Sequence, residues 1–268
     1  MIPGAQPAPA QGLAPRRIEL WCTFLADIDA ADLWGHYPRL LSADEHARQG
    51  RLRRAADRRR DLAARALVRT VLSRYAPVAP EAWVFGADAH GRPHIVAPAV
   101  PLEFNLTHSG ELVVLGVANA RSVGVDVEHV VRATNTTLLE RYFSPPEVEQ
   151  LSQMDTAVRR LRFFELWTLK EAYLKARGVG LRQPLRTLTF DLTAPGTVRL
   201  SLAPGCADTA ARWAFAQFMV REEYVLALCA ERAGPRPLQL AVHEVVPLVS
   251  ARGLKSNPQR VAGIEIAP

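Results

Sequence analysis

The sequence predicts an α+β protein of two similar α/β halves with a cleft between them. Segments with strand and helix character run in the order strand, helices, strands, and then repeat that order. The two runs meet near residues 119–135, and a length of 268 residues suits one large domain or two small ones. No strong internal repeat accompanies the pattern, so the duplication rests on element order. The expected division is 1–17 as a flexible extension, 18–120 and 121–232 as the halves, and 233–268 as a tail.

Residues 18–25 read as the opening strand. Ser42 with Glu45 three residues later is a capping-box signature that starts a helix. A second helix spans about 57–75, with Ala64, Leu67, Val68, Val71, Leu72 and Tyr75 on one face and Arg65 and Arg69 on a neighbouring one. The Ala-Pro-Val-Ala-Pro stretch ending at Pro80 breaks it, and His90-Gly91-Arg92-Pro93 marks a turn between short strands. Strands follow at 112–118 and 122–128, then helices at 144–153 and 156–177, the latter stopped by Gly178 and Gly180. Segments 188–192, 197–202, 213–219 and 224–229 alternate like strands, whereas the last 35 or so residues show no clear periodicity.

Composition is that of an ordinary globular chain, with 49% hydrophobic and 22% charged residues. Cys22, Cys206 and Cys229 match no zinc or redox spacing and, being odd in number, fit a reducing compartment. Met1–Pro15 lacks the basic patch and apolar core of a signal peptide, and no later run is long enough to span a bilayer. A cytoplasmic protein is expected. The net charge of +6 is uneven: between His46 and Arg74 ten arginines stand against Asp57 and Asp61. Such a cluster favours phosphates, nucleic acid or an acidic protein surface, and is equally the pattern of a solvated helix face.

Four segments can carry chemistry. In Ser122–Glu128 strand alternation turns Val123, Val125 and Val127 to the core and Gly124, Asp126 and Glu128 to the other face. Two carboxylates at i and i+2 repel unless a cation sits between them, for which a hard ion such as magnesium is suited. Gly124 would leave room for a ligand; a strand whose polar face simply meets water gives the same pattern. In Phe163–Lys175, Phe163, Trp167, Lys170 and Leu174 follow one helical stripe, with Glu171 and Lys175 on its edge. Glu171 can add a third carboxylate and Lys175 a cation for a phosphate, or the two can form a surface salt bridge. Thr107, His108 and Ser109, before Gly110, make an anion cradle with their amides, although a lone turn histidine is commonly structural. Ser144, Pro145 and Glu147 read as a helix start with a capping box.

Taken in chain order, Gly91-Arg92-Pro93, Phe104–Ser109, Gly124-Val-Asp-Val-Glu128, Phe143-Ser-x-x-Glu147 and Trp167-x-x-Lys-Glu-x-x-x-Lys175 resemble the Sfp-type 4′-phosphopantetheinyl transferases, over roughly residues 18–230. The Trp…Lys-Glu-Ala wording resembles the branch of the family named for it. The resemblance implies two halves in pseudo-twofold arrangement with the active site in their cleft, the first half giving nucleotide and phosphate contacts and the second the magnesium site. It implies that Asp126, Glu128 and Glu171 hold Mg²⁺, and that Lys175, with Lys170 as a weaker candidate, contacts phosphates. Arg92, Thr107 and His108 would bind coenzyme A, and Arg48 would reach its 3′-phosphate. Two positions depart from the family pattern: Thr107 stands for a serine, and Glu45 for a basic residue, with His46 or Arg51 as possible substitutes.

The implied reaction is attack of a carrier-protein serine on the pantetheine-side phosphorus of coenzyme A, with 3′,5′-ADP leaving. Glu147 is the candidate general base. The implied partners are coenzyme A and an apo acyl or peptidyl carrier protein, small, acidic and helical, from fatty-acid, polyketide or nonribosomal-peptide assembly; the enzyme would be monomeric. Neither nucleic acid nor membrane is expected as a partner. The alternatives are a magnesium-dependent phosphohydrolase using the same carboxylates, a basic nucleic-acid-binding protein, and a non-catalytic scaffold. The nucleic-acid reading leaves Asp126, Glu128 and Glu171 without a purpose.

Overall fold

The computed structural model describes residues 12–28, 31–89, 91–131, 139–180, 183–232, 234–254 and 257–267. Most of the expected N-terminal extension, His90 of the expected turn and part of the expected joint near 119–135 lie outside them. In chain order the elements are β1 (Arg17–Phe24), α1 (Ala31–His36), α2 (Ala43–Gly50), α3 (Ala55–Leu72), β2 (Val84–Ala87), β3 (Pro93–Ala97), β4 (Leu102–Ser109), β5 (Leu112–Asn119) and β6 (Val123–His129). They continue with α4 (Leu139–Tyr142), α5 (Pro145–Ser152), α6 (Thr156–Arg177), β7 (Leu188–Asp191), β8 (Gly196–Thr197), β9 (Arg199–Leu202), β10 (Trp213–Val220) and β11 (Tyr224–Glu231). The last four are β12 (Leu238–Val246), β13 (Ser250–Gly253), β14 (Arg260–Ala262) and β15 (Ile264–Ile266). The described residues of Met1–Ala120 and Ala241–Lys255 form one compact unit, and those of Arg121–Leu240 and Ser256–Pro268 another.

In the first unit the sheet runs β13-β12-β1-β5-β4. One face of β5, carrying Val113, Leu115 and Val117, clusters with Leu62, Ala63, Ala66, Leu67 and Val71 of α3, all buried. The capping box forms as the sequence predicts, Ser42 N–H donating to Glu45 Oε2 at 2.9 Å and Glu45 N–H to Ser42 Oγ at 3.3 Å. On β1, Glu19 accepts from Tyr75 and Arg17 and lies 3.1 Å from His243 Nε2, and Trp21 stacks on His243 with centroids 4.1 Å apart. Burial opposes ionisation of Glu19, but the hydrogen bonds of His243, Tyr75 and Arg17 outweigh it and bring the carboxyl from 4.5 down to about 2. A depressed carboxyl adds stability above its unfolded value and loses it as pH falls through its folded one. Glu19→Gln should therefore lower thermal stability at pH 7, and the gap to wild type should close between pH 4.5 and about 2. A gap that stays constant over that window would show that the lost stability comes from packing instead.

In the second unit the sheet runs β6-β11-β10-β14-β8. α6 covers it, placing Leu166, Leu169, Ala172, Tyr173 and Ala176 in one buried cluster with Phe215, Ala227 and Cys229. The helix ends where Gly178 adopts a left-handed φ of 66° and donates to Leu174 and Lys175 carbonyls, as the glycine signal predicts. The expected tail at 233–268 is instead four strands. Arg260 of β14 donates to Glu165 of α6 at 2.8 Å and to Gln217 of β10 at 3.1 Å. Periodicity hid these strands because β12 has buried residues on both faces and the others are at most four residues long. Among the described residues no helix is long and apolar enough to cross a membrane.

Candidate active site

In the second unit the candidate metal ligands lie on two elements, β6 and α6. They approach backbone to backbone at Gly124: a Cβ there would lie 2.1 Å from the Ala172 carbonyl oxygen and 2.3 Å from the Ala176 nitrogen. Gly124 therefore makes room for a helix, and its expected role of admitting a ligand is corrected. The face it shares with Asp126 is covered by α6 rather than open, and Asp126 is only 6% exposed. Glu128, near the strand's end, is half-buried.

On α6, Glu171 and Lys175 stand one turn apart. The Lys175 ammonium reaches across to β6, donating to Asp126 Oδ1 at 2.6 Å and to the Val125 carbonyl at 3.1 Å. Burial raises the Glu171 pKa, the Asp126 charge raises it further and Glu128 adds a smaller push, while Lys175 opposes them. Asp126, Glu128 and Glu171 thus share one field. Among the described residues no group of three or more His, Cys, Asp or Glu side chains stands together so as to hold a metal ion as placed. The chemistry of these donors nevertheless suits a hard divalent ion: Asp126 and Glu128 both act on the Glu171 carboxyl, and the Lys175 ammonium at 2.6 Å from Asp126 is the present counter-charge.

Glu147 and Lys170 are elsewhere. Glu147 is 2% exposed, and both its oxygens are engaged. Oε2 accepts from Ser144 N–H at 2.8 Å and lies 2.7 Å from Lys170 Nζ, and Oε1 accepts from Phe190 N–H at 2.8 Å. Lys170, fully buried, also donates to the Leu185 and Leu188 carbonyls at 2.9 and 2.6 Å. Burial lowers its pKa, and Glu147 acts the other way. Every ammonium hydrogen has an acceptor, so the pair locks α5, α6 and β7 together. The expected roles of Glu147 as base and Lys170 as phosphate contact are corrected on that ground.

In the first unit Arg48 projects, exposed, from α2. Arg92 follows the turn at Gly91, whose φ is 79°; its N–H donates to Asp88 Oδ1 at 3.0 Å and its guanidinium lies 4.0 Å from Glu103. Thr107 and His108 belong to β4, paired with Val114 and Val113, so they point to opposite faces. Thr107 is 7% exposed and His108 lies open. The expected Thr107–Ser109 cradle is therefore a strand end, in which only alternate amides can face outward. Reading the sequence also missed a buried ion pair, Glu45 with Arg69 at 2.6 Å. By sequence Arg69 falls within the arginine-rich segment, and the local signal of its pairing is the acid at position 45.

Comparison with known proteins covers both units. A family model described as "4'-phosphopantetheinyl transferase superfamily" matches residues 122–229, and one described as "4'-phosphopantetheinyl transferase, N-terminal" matches 30–120. The chain is 31% identical over 191 residues to a 4′-phosphopantetheinyl transferase of Bacillus subtilis, covering 71% of this chain and 82% of the relative. It is 32% identical over 200 residues to the 4′-phosphopantetheinyl transferase HetI of Nostoc sp., covering 74% and 81%. Among solved structures, a holo-[acyl-carrier-protein] synthase of Thermotoga maritima aligns with a TM-score of 0.34 at 20% identity, over 55% of this chain and 98% of that one.

Proposed function

Since the chain belongs to the 4′-phosphopantetheinyl transferase family and is an enzyme that moves phosphopantetheine from coenzyme A to a carrier protein, we propose that it does so with Mg²⁺ held by Asp126, Glu128 and Glu171. The observation that carries this reading is the Lys175 ammonium bound to Asp126 at 2.6 Å across β6 and α6, beside a Glu171 carboxyl on which Asp126 and Glu128 both act. Bound there, the ion would offset negative charge on the pyrophosphate oxygens. Arg48, Arg92, Thr107 and His108 are the proposed contacts to coenzyme A, Arg48 for the 3′-phosphate.

The carrier serine oxygen forms a bond to the pantetheine-side phosphorus, and the bond to the bridging oxygen breaks, so that 3′,5′-ADP leaves. Lys175, with 30% of its side chain exposed, can turn from Asp126 to the phosphates and offset charge on the departing oxygen. With Glu147 sealed in the core, Glu171 is the carboxylate that takes the serine proton. The arginine-rich surface of α2 and α3 suits an acidic carrier and would speed its approach more than it tightens the complex. The enzyme is proposed to work as a cytoplasmic monomer.

Intact-protein mass spectrometry of an apo carrier incubated with coenzyme A, Mg²⁺ and the enzyme tests this. The carrier should gain one phosphopantetheine, and the gain should vanish with EDTA and with Glu171→Ala. Transfer that persists in a chelated, metal-depleted reaction would overturn the metal assignment. Arg92→Ala should raise KM for coenzyme A by about tenfold and leave kcat at saturation near wild type, as loss of a uniform binding contact does. An unchanged KM would take Arg92 out of the ligand contacts.

A further inference from the structure

We propose that Glu45 and Arg69 are positioning residues for coenzyme A, a buried clasp that fixes the two elements carrying Arg48 and Arg92. The inference rests on the reading that those two arginines contact the ligand. Glu45 and Arg69 are 2% and 1% exposed, and the Arg69 Nη2 group donates to Glu45 Oε2 at 2.6 Å. The same oxygen accepts from Ser42 N–H, so one carboxylate both starts α2 and seats it on α3. Arg48 follows Glu45 by three residues on this short helix, its side chain in solvent while Glu45 faces inward.

The other arm of the guanidinium faces the hairpin. Arg69 Nη1 donates to the carbonyls of Pro80 and Trp83, each at 2.9 Å, and the Phe85 ring lies 5.1 Å from its carbon. Trp83 is further pinned by its indole N–H, which donates to Ser73 Oγ at 2.9 Å. From Trp83 the chain enters β2, which pairs with β3 in the register Phe85↔Ile95, Gly86↔His94, Ala87↔Pro93. The turn between them carries Arg92, closed by Asp88 N–H donating to the Arg92 carbonyl at 3.0 Å. One planar guanidinium thus spans the gap between a helix with one proposed contact and the loop that leads into the hairpin with the other.

A buried ion pair of this kind adds little net stability over apolar residues of the same volume. What it does supply is direction: a planar fork fixes two partners at once, whereas a lysine ammonium at the same place is a single point charge. Glu45 stands where the resemblance leads one to expect a basic residue. The acid is accounted for here by Arg69, with Arg65 Nη1 a further 3.6 Å from its other oxygen.

Glu45→Gln keeps an acceptor for the cap and removes the charge, and Arg69→Lys keeps the charge and removes the fork. Each should raise KM for coenzyme A by about tenfold, because small displacements of binding groups have large effects, with kcat at saturation within about twofold and KM for the carrier unchanged. Adding Glu45→Gln to the Arg48→Ala/Arg92→Ala double variant should change KM little further. If kcat falls while KM for coenzyme A stays put, the pair is merely structural and the inference is overturned; it is overturned equally if neither constant moves. Should Arg69→Lys not fold, Glu45→Gln alone decides. If Arg48→Ala and Arg92→Ala themselves leave KM unchanged, the contact reading fails and takes the inference with it. If they raise KM and the clasp variants do not, the inference alone fails.

Discussion

Asp126→Ala is expected to slow phosphopantetheine transfer by at least about a thousandfold while leaving the chain folded. Asp126 is a carboxylate at the meeting of β6 and α6, and it is the partner of Lys175. Its removal takes one charge from the proposed metal site and also releases the ammonium from its present position. The fold should tolerate this because the Lys175 side chain is 30% exposed and its freed ammonium can be hydrated in place. Single-turnover transfer followed by mass spectrometry, beside circular dichroism and thermal melting, separates the two effects. Lys175→Ala should cost less, since it leaves all three carboxylates. A rate near wild type for Asp126→Ala at ordinary magnesium would remove this residue from the machinery.

Lys170→Ala carries the largest expected change in stability, about 3–5 kcal/mol, because it leaves a buried carboxylate at Glu147 without its counter-charge and opens a cavity in the core. The paired replacement Glu147→Gln/Lys170→Met should recover part of that loss, since both charges disappear together while Gln still accepts from one of the two amides that Glu147 holds. Chemical denaturation of the three proteins measures it. Glu147→Gln should keep kcat within a few-fold of wild type. A thousandfold loss of kcat in a variant of normal stability would return Glu147 to the chemistry.

The helices that bear the site were legible because their signals are local. Ser42 with Glu45, Ser144 with Glu147 and Gly178 each report on a few neighbouring residues; the first and last form as predicted, and the second forms through Ser144 N–H donating to Glu147 Oε2. The carboxylates of β6 and α6 stand out as candidates through spacing and resemblance. Which of the nearby charges are buried was not. Lys170 and Lys175 differ by five positions on one helix, yet one is sealed among carbonyls and the other reaches half-open across to Asp126. That difference depends on β7 and β6, which are remote in sequence. Arg69 was hidden for the same reason, since its acceptors at Pro80 and Trp83 belong to a loop the helix pattern does not foresee. The strands after residue 237 lacked alternation because burial on both faces of β12 removes the polar beat.

The contact at Gly124 has a bearing on how this site can drift or be redesigned. Where two elements meet through side chains, swapping a leucine for a methionine shifts their separation by tenths of an ångström. Here the strand that holds Asp126 and the helix that holds Glu171 and Lys175 meet through main-chain atoms, which every sequence shares. The spacing of the reactive groups is thereby insulated from substitutions among Leu166, Leu169 and Phe215. Volume-conserving exchanges among these apolar residues leave that spacing in place, while position 124 admits a single amino acid.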